Sequence, residues 1–333
     1  MFNNSTENCS QCLSNIELYT APQAYELNVT TTVLLSAFLV LSAVGNMCTC
    51  VVVIRNKSMR SPTNYYLLNL AISDLIFSSF IPVEICIYCL PEFSLSVKLL
   101  IAHFFFYEFL GNFSVLTILA FTVERYLAIT KPFSGHKTML TSRICKVITT
   151  IWITSLTFSS FNTYWIYKVH KTDYAAWFTT FHNDYHKYFI GVLLIVFFVF
   201  PMCVIVVLFV LIVLHLKSSK QVLRANSLQT TRNRKRATKM LAAVAAFFFI
   251  CWSPYFTLRV MALMDYSYPD HMWVWRVIIY MCSINSYMSA VVNPILYSLM
   301  SRKFRQAFKS LLGVRASSAK SNKSHSSREN THV

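Results

Sequence analysis

The sequence is poor in charge: 13% of its 333 residues are Asp, Glu, Lys or Arg, whereas 55% are hydrophobic. A soluble domain usually has about 25% charged residues, so this balance favours a membrane protein. The chain lacks the catalytic patterns H-E-x-x-H and G-x-S-x-G, and its nine histidines are scattered mostly in loops. It also lacks the internal repeats of many transporters. We therefore expect neither an enzyme nor a transporter.

The N-terminal segment lacks the basic and apolar regions of a cleavable signal peptide. We interpret residues 1–30 as a polar extracellular arm, because N-x-S/T glycosylation acceptors are concentrated there. These acceptors are Asn3, Asn4, Asn8 and Asn28.

Acidic residues are scarce, with 13 Asp and Glu against 30 Lys and Arg, which gives a net charge of +17. A basic balance can indicate nucleic-acid binding. Here the basic residues fall between apolar runs and in the C-terminal tail, so membrane orientation explains them better. We expect no nucleic-acid partner. The distribution predicts a multi-pass plasma-membrane protein with an extracellular N-terminus and a cytoplasmic C-terminus.

Seven apolar stretches are long enough to cross a bilayer, which needs about 20 residues. They cover roughly 31–54, 64–89, 99–127, 144–166, 186–215, 236–264 and 273–299. The fold class is therefore an all-α membrane protein with a seven-transmembrane helix bundle over 31–300. Residues 301–313 predict an amphipathic helix on membrane lipid, with Phe304, Phe308, Leu311 and Leu312 on one face. The polar residues 314–333 predict a disordered cytoplasmic tail.

The sixth stretch contains F-F-F-I-C-W-S-P, from Phe247 to Pro254. Pro254 has no backbone N–H group and should kink the helix near Ile250. With Trp252 beside the kink and a basic cytoplasmic end, the helix has the features of a lever. The alternative is a structural proline, which membrane helices tolerate.

Several polar residues lie inside apolar stretches, where each one is expensive and suggests a function. Asp74, Ser114 and Asn293 would suit a small cation such as sodium. A polar network that packs the helices is the alternative, and spacing alone favours it. We expect no other cofactor or metal.

Near the outer side, Glu84, Glu108 and Arg259 predict an Arg–carboxylate pair across a cavity. The alternative is that their side chains reach the membrane surface. Near the cytoplasm, Glu124-Arg125-Tyr126 ends the third stretch, and N-P-x-x-Y, from Asn293 to Tyr297, predicts a second kink.

Together these motifs resemble the rhodopsin-like (class A) G-protein-coupled receptors. The ordered set is G-N at 45–46, L-N-L-A-I-S-D at 68–74, E-R-Y at 124–126, Trp152, Pro201, C-W-S-P at 251–254 and N-P-I-L-Y at 293–297. Other stretches, among them I-P-V-E and R-K-R-A-T-K-M-L, are similar to the neuromedin U, pyrokinin and ghrelin group of peptide receptors.

The resemblance implies an extracellular peptide ligand, a heterotrimeric G protein of the Gq type and arrestin as partners. The implied ligand-binding residues are Glu84, Tyr107, Glu108, Arg259 and Tyr280. The implied activation switches are Glu124, Arg125, Tyr126, Trp252, Pro254, Phe248, Pro201, Val115, Asn293, Pro294 and Tyr297. Tyr287 replaces the retinal lysine of opsins, so no Schiff base is expected.

The sequence departs from the family at three positions. Leu100 replaces a cysteine, and the loop at about 167–185 has no cysteine either, so the usual disulfide cannot form. Phe209 replaces a tyrosine, and Arg234 replaces an acid that faces Arg125 in some relatives. We therefore expect Arg125 to rely on Glu124 at rest, and basal signalling to be appreciable. A divergent receptor with constitutive activity or a non-peptide ligand stays open as the alternative.

Further expectations concern the cysteines and the C-terminal tail. Cys9 or Cys12 forms an atypical bridge to Cys86, Cys89 or Cys282, or these three are free thiols. Serines between 317 and 327 are candidates for phosphorylation and arrestin binding, or merely keep the tail soluble. Thr331-His332-Val333 resembles a ligand of PDZ proteins.

Overall fold

The computed structural model describes residues 25–56, 59, 64–89, 96–130, 137–169, 184–218, 228–264, 272–300 and 302–311. Within these ranges the regular elements are helices, with no strand. They are α1 (Tyr25–Arg55), α2 (Asn64–Ser78), α3 (Ile81–Cys89), α4 (Val97–Thr130), α5 (Lys137–Val169), α6 (Asp184–Leu194), a π-helical turn (Ile195–Val199), α7 (Phe200–Ser218), α8 (Leu228–Leu263), α9 (Met272–Met300) and α10 (Arg302–Leu311).

Six helical stretches among the described residues are long and apolar enough to cross a membrane. Helix α9, which covers the predicted seventh stretch, has 29 residues and packs against α8, α1 and α2. The predicted all-α bundle is therefore confirmed. Helix α4 lies at the centre of the bundle, since 72% of its most apolar 18-residue segment is buried. The corresponding share is 22% for α5 and for the fifth crossing.

Two crossings are interrupted near a proline. The second breaks between α2 and α3, where Pro82 has no N–H group and the amide of Glu84 donates to the Phe80 carbonyl at 3.2 Å. The fifth contains the π-helical turn just before Pro201, and the Phe200 N–H group donates to the Ile195 carbonyl.

Several helices extend beyond the predicted stretches. Helix α1 begins at Tyr25, so Asn28 belongs to the helix and not to a preceding arm; α5 and α8 begin at Lys137 and Leu228. Residues 228–236 contain neither Gly nor Pro, so no local signal ends the helix at the edge of the apolar run. Asn3, Asn4, Asn8, the tail 314–333 and Thr331–Val333 lie outside the described residues.

The amphipathic segment forms α10, which lies against the bundle. Phe304 is buried, and its ring centroid lies 6.4 Å from that of Tyr297. On the polar side, the Nη1 atom of Arg305 donates to the Ser298 carbonyl at 3.1 Å, near the end of α9. This helix is therefore fixed to the end of α9 as well as suited to a lipid surface.

Candidate functional site

A buried ion pair joins α4 to α8 near the predicted outer end of the bundle. The Oε2 atom of Glu108 lies 3.0 Å from the Nη2 atom of Arg259, and both side chains are buried. Asn162 of α5 donates to the same carboxylate oxygen, and the Arg259 guanidinium also donates to the Tyr255 hydroxyl. The structure therefore forms the Arg–carboxylate pair expected from the cost of isolated charges.

This pair matters for stability because both charged side chains are buried. When one partner of a buried pair is removed, the remaining charge costs about 3–5 kcal/mol. Asn162 donates a second hydrogen bond to the Oε2 atom of Glu108, and the Nε atom of Arg259 donates to the Tyr255 hydroxyl. The sequence did not identify Asn162, a neutral residue whose role depends on where α5 packs.

Glu84 has a different partner from the one expected. Its Oε2 atom lies 3.1 Å from the Nε2 atom of His103, and both residues are buried. The same imidazole nitrogen lies 3.4 Å from the Tyr287 hydroxyl. Arg259 therefore pairs with Glu108 and not with Glu84. His103 was missed, although an ionisable residue inside the third stretch was itself a signal.

The two predicted tyrosines of the ligand site face different neighbours. The Tyr107 hydroxyl lies 2.5 Å from the Ser286 Oγ atom and donates to the Cys282 carbonyl at 3.2 Å. The Tyr280 hydroxyl lies 2.9 Å from the Thr31 Oγ1 atom, on α1. The ring centroid of Tyr107 lies 5.4 Å from that of Tyr255, which is bound to Arg259, so Tyr107 is close to the ion pair. Tyr280 instead faces α1.

Trp252 lies among aromatic rings beneath the ion pair. Its indole stacks on Phe248, with centroids 5.7 Å apart and planes at 23°, and lies 5.2 Å from the Tyr107 ring. Its Nε1 atom donates to the Ser289 hydroxyl at 3.3 Å. Val115 and Pro201, the other predicted neighbours, are both buried, and Val115 belongs to the same apolar core. An edge-to-face contact between Tyr255 and Trp252, 5.9 Å apart, connects this cluster to Arg259.

Helix α8 continues through Pro254. A proline leaves the carbonyl four residues earlier without its helical donor. The Ser253 hydroxyl donates to that carbonyl, Ile250, at 2.8 Å.

Pro294 in α9 likewise leaves the Ala290 carbonyl without its helical donor. Here the donor comes from another helix, because the Nδ2 atom of Asn46 reaches the Ala290 carbonyl at 3.0 Å. Gly45 permits this close approach, since a Cβ atom built on it would lie 2.8 Å from the Pro294 Cβ atom.

Asp74 and Asn293 are brought together, with the Asn293 Nδ2 atom donating to the Asp74 Oδ2 atom at 2.9 Å. Both residues are buried between α2 and α9. Ser114 is a buried residue of α4, and it is hydrogen-bonded to neither of them in the described part of the chain. The direct bond is the feature expected of a packing network, which the sequence left open beside a sodium site.

At the end of α4 that is predicted to be cytoplasmic, the expected contact between Glu124 and Arg125 is wrong. The Oε2 atom of Glu124 lies 2.6 Å from the Nη2 atom of Arg143, on α5. The Arg125 guanidinium lies 5.0 Å from the centroid of the Phe121 ring, and its Nε atom has no hydrogen-bond partner among the described residues. The reason is geometric, because successive side chains of a helix do not face each other.

The remaining predicted switches lie around this end. Tyr126 packs against the buried pair Ile129 and Ile212, which joins α4 to α7. Tyr297 is buried against α10.

Of the cysteines considered for a bridge, Cys86 and Cys282 are free thiols in this structure, whereas Cys9, Cys12 and the side chain of Cys89 lie outside the described residues.

Comparison with known proteins shows similarity along most of the chain. The family model described as 7 transmembrane receptor (rhodopsin family) matches residues 45–297. The pyrokinin-1 receptor of Drosophila melanogaster is 29% identical over 339 residues, covering 84% of this chain and 79% of that protein. Neuromedin-U receptor 1 of Mus musculus is 30% identical over 327 residues, with 89% and 76% covered. The thyrotropin-releasing hormone receptor of Homo sapiens is 30% identical over 321 residues, with 86% and 79% covered.

Proposed function

Because the chain belongs to the rhodopsin family of 7-transmembrane receptors, and is therefore a multi-pass membrane receptor and not an enzyme, we propose that it binds an extracellular peptide and activates a heterotrimeric G protein of the Gq type. The named relatives are receptors for pyrokinin, neuromedin U and thyrotropin-releasing hormone. The proposed orientation has the N-terminus outside, in agreement with the basic loops and the glycosylation acceptors.

The observation that carries this proposal is the buried Glu108–Arg259 pair above Trp252. The pair offers one anionic and one cationic group at the same place, so a peptide can engage it with an Arg side chain, a carbonyl or an amidated C-terminus. Glu84 with His103 provides a second acidic position, and Tyr107 and Tyr280 complete the proposed ligand-binding residues.

Ligand binding would reach the cytoplasmic side through contacts that already exist. A change at Arg259 moves Tyr255, whose ring lies against Trp252, and Trp252 in turn stacks on Phe248 within α8. The basic end of α8 then moves outward, opening a cleft in which Arg125 and Tyr297 meet the G protein. The ligand acts by population shift, so it must bind the open state better.

The proposal also includes the finer partners. A sodium ion at Asp74, Ser114 and Asn293 would displace the direct Asp74–Asn293 bond and favour the closed state. Arrestin would bind the phosphorylated tail, and a PDZ protein would bind Thr331–Val333. Glycans at Asn3, Asn4, Asn8 and Asn28 would cover the extracellular arm.

A second candidate function is a constitutively active receptor without a peptide ligand. The observation in its favour is Leu100, which removes the disulfide that would hold the second extracellular loop over the pocket. In that case the Glu108–Arg259 pair is structural, and its loss reduces the amount of folded receptor.

Calcium release in transfected cells, measured with a panel of amidated peptides, tests the proposal. We expect one peptide class to act, and we expect Glu108→Gln and Arg259→Ala to weaken its potency at least tenfold, which corresponds to about 1.4 kcal/mol. Lys168→Gln is the matched control, because Lys168 is an exposed cation at the outer end of α5. Unchanged potency in both pocket variants, at normal surface expression, contradicts the proposed pocket.

A further inference from the structure

An open groove of about 540 Å³ runs between α2, α4 and α5 on the half of the bundle that contains Glu124. Apolar side chains form its wall; they are Leu116, Leu119, Ala120, Val123, Val147 and Ile151. Thr150, also on the groove, is exposed on the outer surface of the bundle. In a membrane this surface faces acyl chains, so the groove is accessible from the bilayer.

One end of the groove is polar and rich in hydrogen-bond donors. Arg143 and Lys146 are both exposed there. Tyr66 also lines the groove, and its hydroxyl has no hydrogen-bond partner in the described part of the chain. The acid among the lining residues is Glu124, which is already bound to Arg143. This end therefore has unused donors and favours an anionic group rich in oxygen.

Arg143 can serve two acceptors at once. Its side chain is 50% exposed although its Nη2 atom is bound to Glu124. A guanidinium has several further N–H donors, and these suit the oxygens of a phosphate. A phosphate bound there would share Arg143 with the acidic residue of the E-R-Y motif.

The length of the groove matches the thickness of one membrane leaflet. Along α5 it extends from Arg143 to Thr154, which is about 16 Å at about 1.5 Å per residue. This is close to half of the roughly 30 Å hydrocarbon core of a bilayer. The groove therefore extends from the membrane surface to about the midplane, which is the depth of one acyl chain.

We propose that this groove binds one anionic phospholipid of the cytoplasmic leaflet. The phosphate lies at Arg143 and Lys146, and one acyl chain lies along the apolar wall. The choice of leaflet rests on the proposed orientation of the receptor; the binding itself depends on neither the peptide ligand nor the G protein. The anionic cytoplasmic leaflet attracts Lys and Arg side chains near its surface.

Native mass spectrometry of the full-length purified receptor, titrated with phosphatidylserine or phosphatidylcholine of identical chains, tests the proposal. We expect one retained phosphatidylserine, at an affinity at least fivefold above that of phosphatidylcholine. Arg143→Gln and Lys146→Gln should each remove most of this preference. Ala120→Phe fills the apolar wall and should reduce retention of both lipids.

Arg55→Gln is the matched control, because Arg55 is an exposed cation at the same end of the bundle, on α1 and away from the groove. It should retain the wild-type preference. Equal retention of the two lipids by the wild type overturns the proposal, as does an equal loss in Arg55→Gln, which indicates general surface charge. Displacement of phosphatidylserine by cholesterol at equimolar amounts also overturns it, in favour of a sterol groove. If Arg143→Gln folds poorly, the exposed Lys146 variant still decides the outcome.

Discussion

Gly111 of α4 leaves the space that the indole of Trp252 occupies. A Cβ atom built on Gly111 would lie 2.4 Å from the Cζ3 atom and 2.5 Å from the Cη2 atom of that ring. Trp252 is buried and cannot move away without disturbing its contacts with Phe248 and Ser289. The absence of one side chain therefore fixes the position of the proposed switch.

We expect Gly111→Ala to lower the melting temperature of the purified receptor and to raise basal signalling. Overpacking a well-packed core costs about 1–3 kcal/mol, and here the cost falls on the arrangement of Trp252 in this structure. Gly191→Ala is the control, because no atom lies within 4 Å of an added Cβ atom there. A melting temperature for Gly111→Ala equal to that of Gly191→Ala would show that the indole adapts freely.

The bond from Asn46 to the Ala290 carbonyl leads to a second prediction. We expect Asn46→Ala to destabilise the receptor by about 1–3 kcal/mol, because the carbonyl freed by Pro294 is then buried without a donor. Thr157→Ala removes a hydrogen bond to the Ile153 carbonyl, which lies on an exposed helix face and keeps its helical donor. Thermal unfolding should separate the two variants, and equal losses would argue against the interhelical bond.

The partner of Glu124 gives a third prediction, measured by double-mutant cycles on thermal stability. We expect Glu124 and Arg143 to couple by about 0.2–1 kcal/mol, the usual range for a pair with a half-exposed member. The cycle for Glu124 and Arg125 should give a coupling near zero, since these neighbours point in different directions. The opposite ranking would mean that Glu124 turns to Arg125 in solution.

Basal activity gives a fourth prediction. We expect unliganded cells that express the receptor to accumulate inositol phosphates above vector controls, because Arg234 cannot form an ionic contact with Arg125. Arg234→Glu introduces the missing acid and should lower this basal signal at equal surface expression. A wild-type signal at the vector level counts against the prediction and against the loosely held resting state that it assumes.

The sequence predicted the helical bundle and several contacts, because burying a polar or charged side chain demands a partner. In this way Asp74 and Asn293 were grouped with Ser114, and Arg259 was expected to pair with a carboxylate, either Glu84 or Glu108. Helix ends were predicted less well, since 228–236 is polar yet helical and hydropathy marks only the apolar part of a helix.

The residues that the sequence missed depend on packing. Gly111 and Asn162 have meaning only once Trp252 and Glu108 are placed beside them. Arg143 directly precedes the fourth apolar stretch, which begins at about 144, and the earlier start of α5 at Lys137 is what places it in a helix beside Glu124. His103 is different, because its position inside an apolar stretch was visible from the start.

The two prolines of α8 and α9 differ in where their freed carbonyls find a donor, and this difference separates two kinds of hinge. The Ser253 hydroxyl donates to the Ile250 carbonyl within α8 itself. Helix α8 can therefore bend at Pro254 and keep this bond. The Asn46 side chain donates to the Ala290 carbonyl from α1. Helix α9 therefore cannot bend at Pro294 without breaking a hydrogen bond between two helices. We therefore expect backbone amides around Pro254 to exchange with deuterium faster than those around Pro294. The receptor would thus have one free hinge and one anchored hinge.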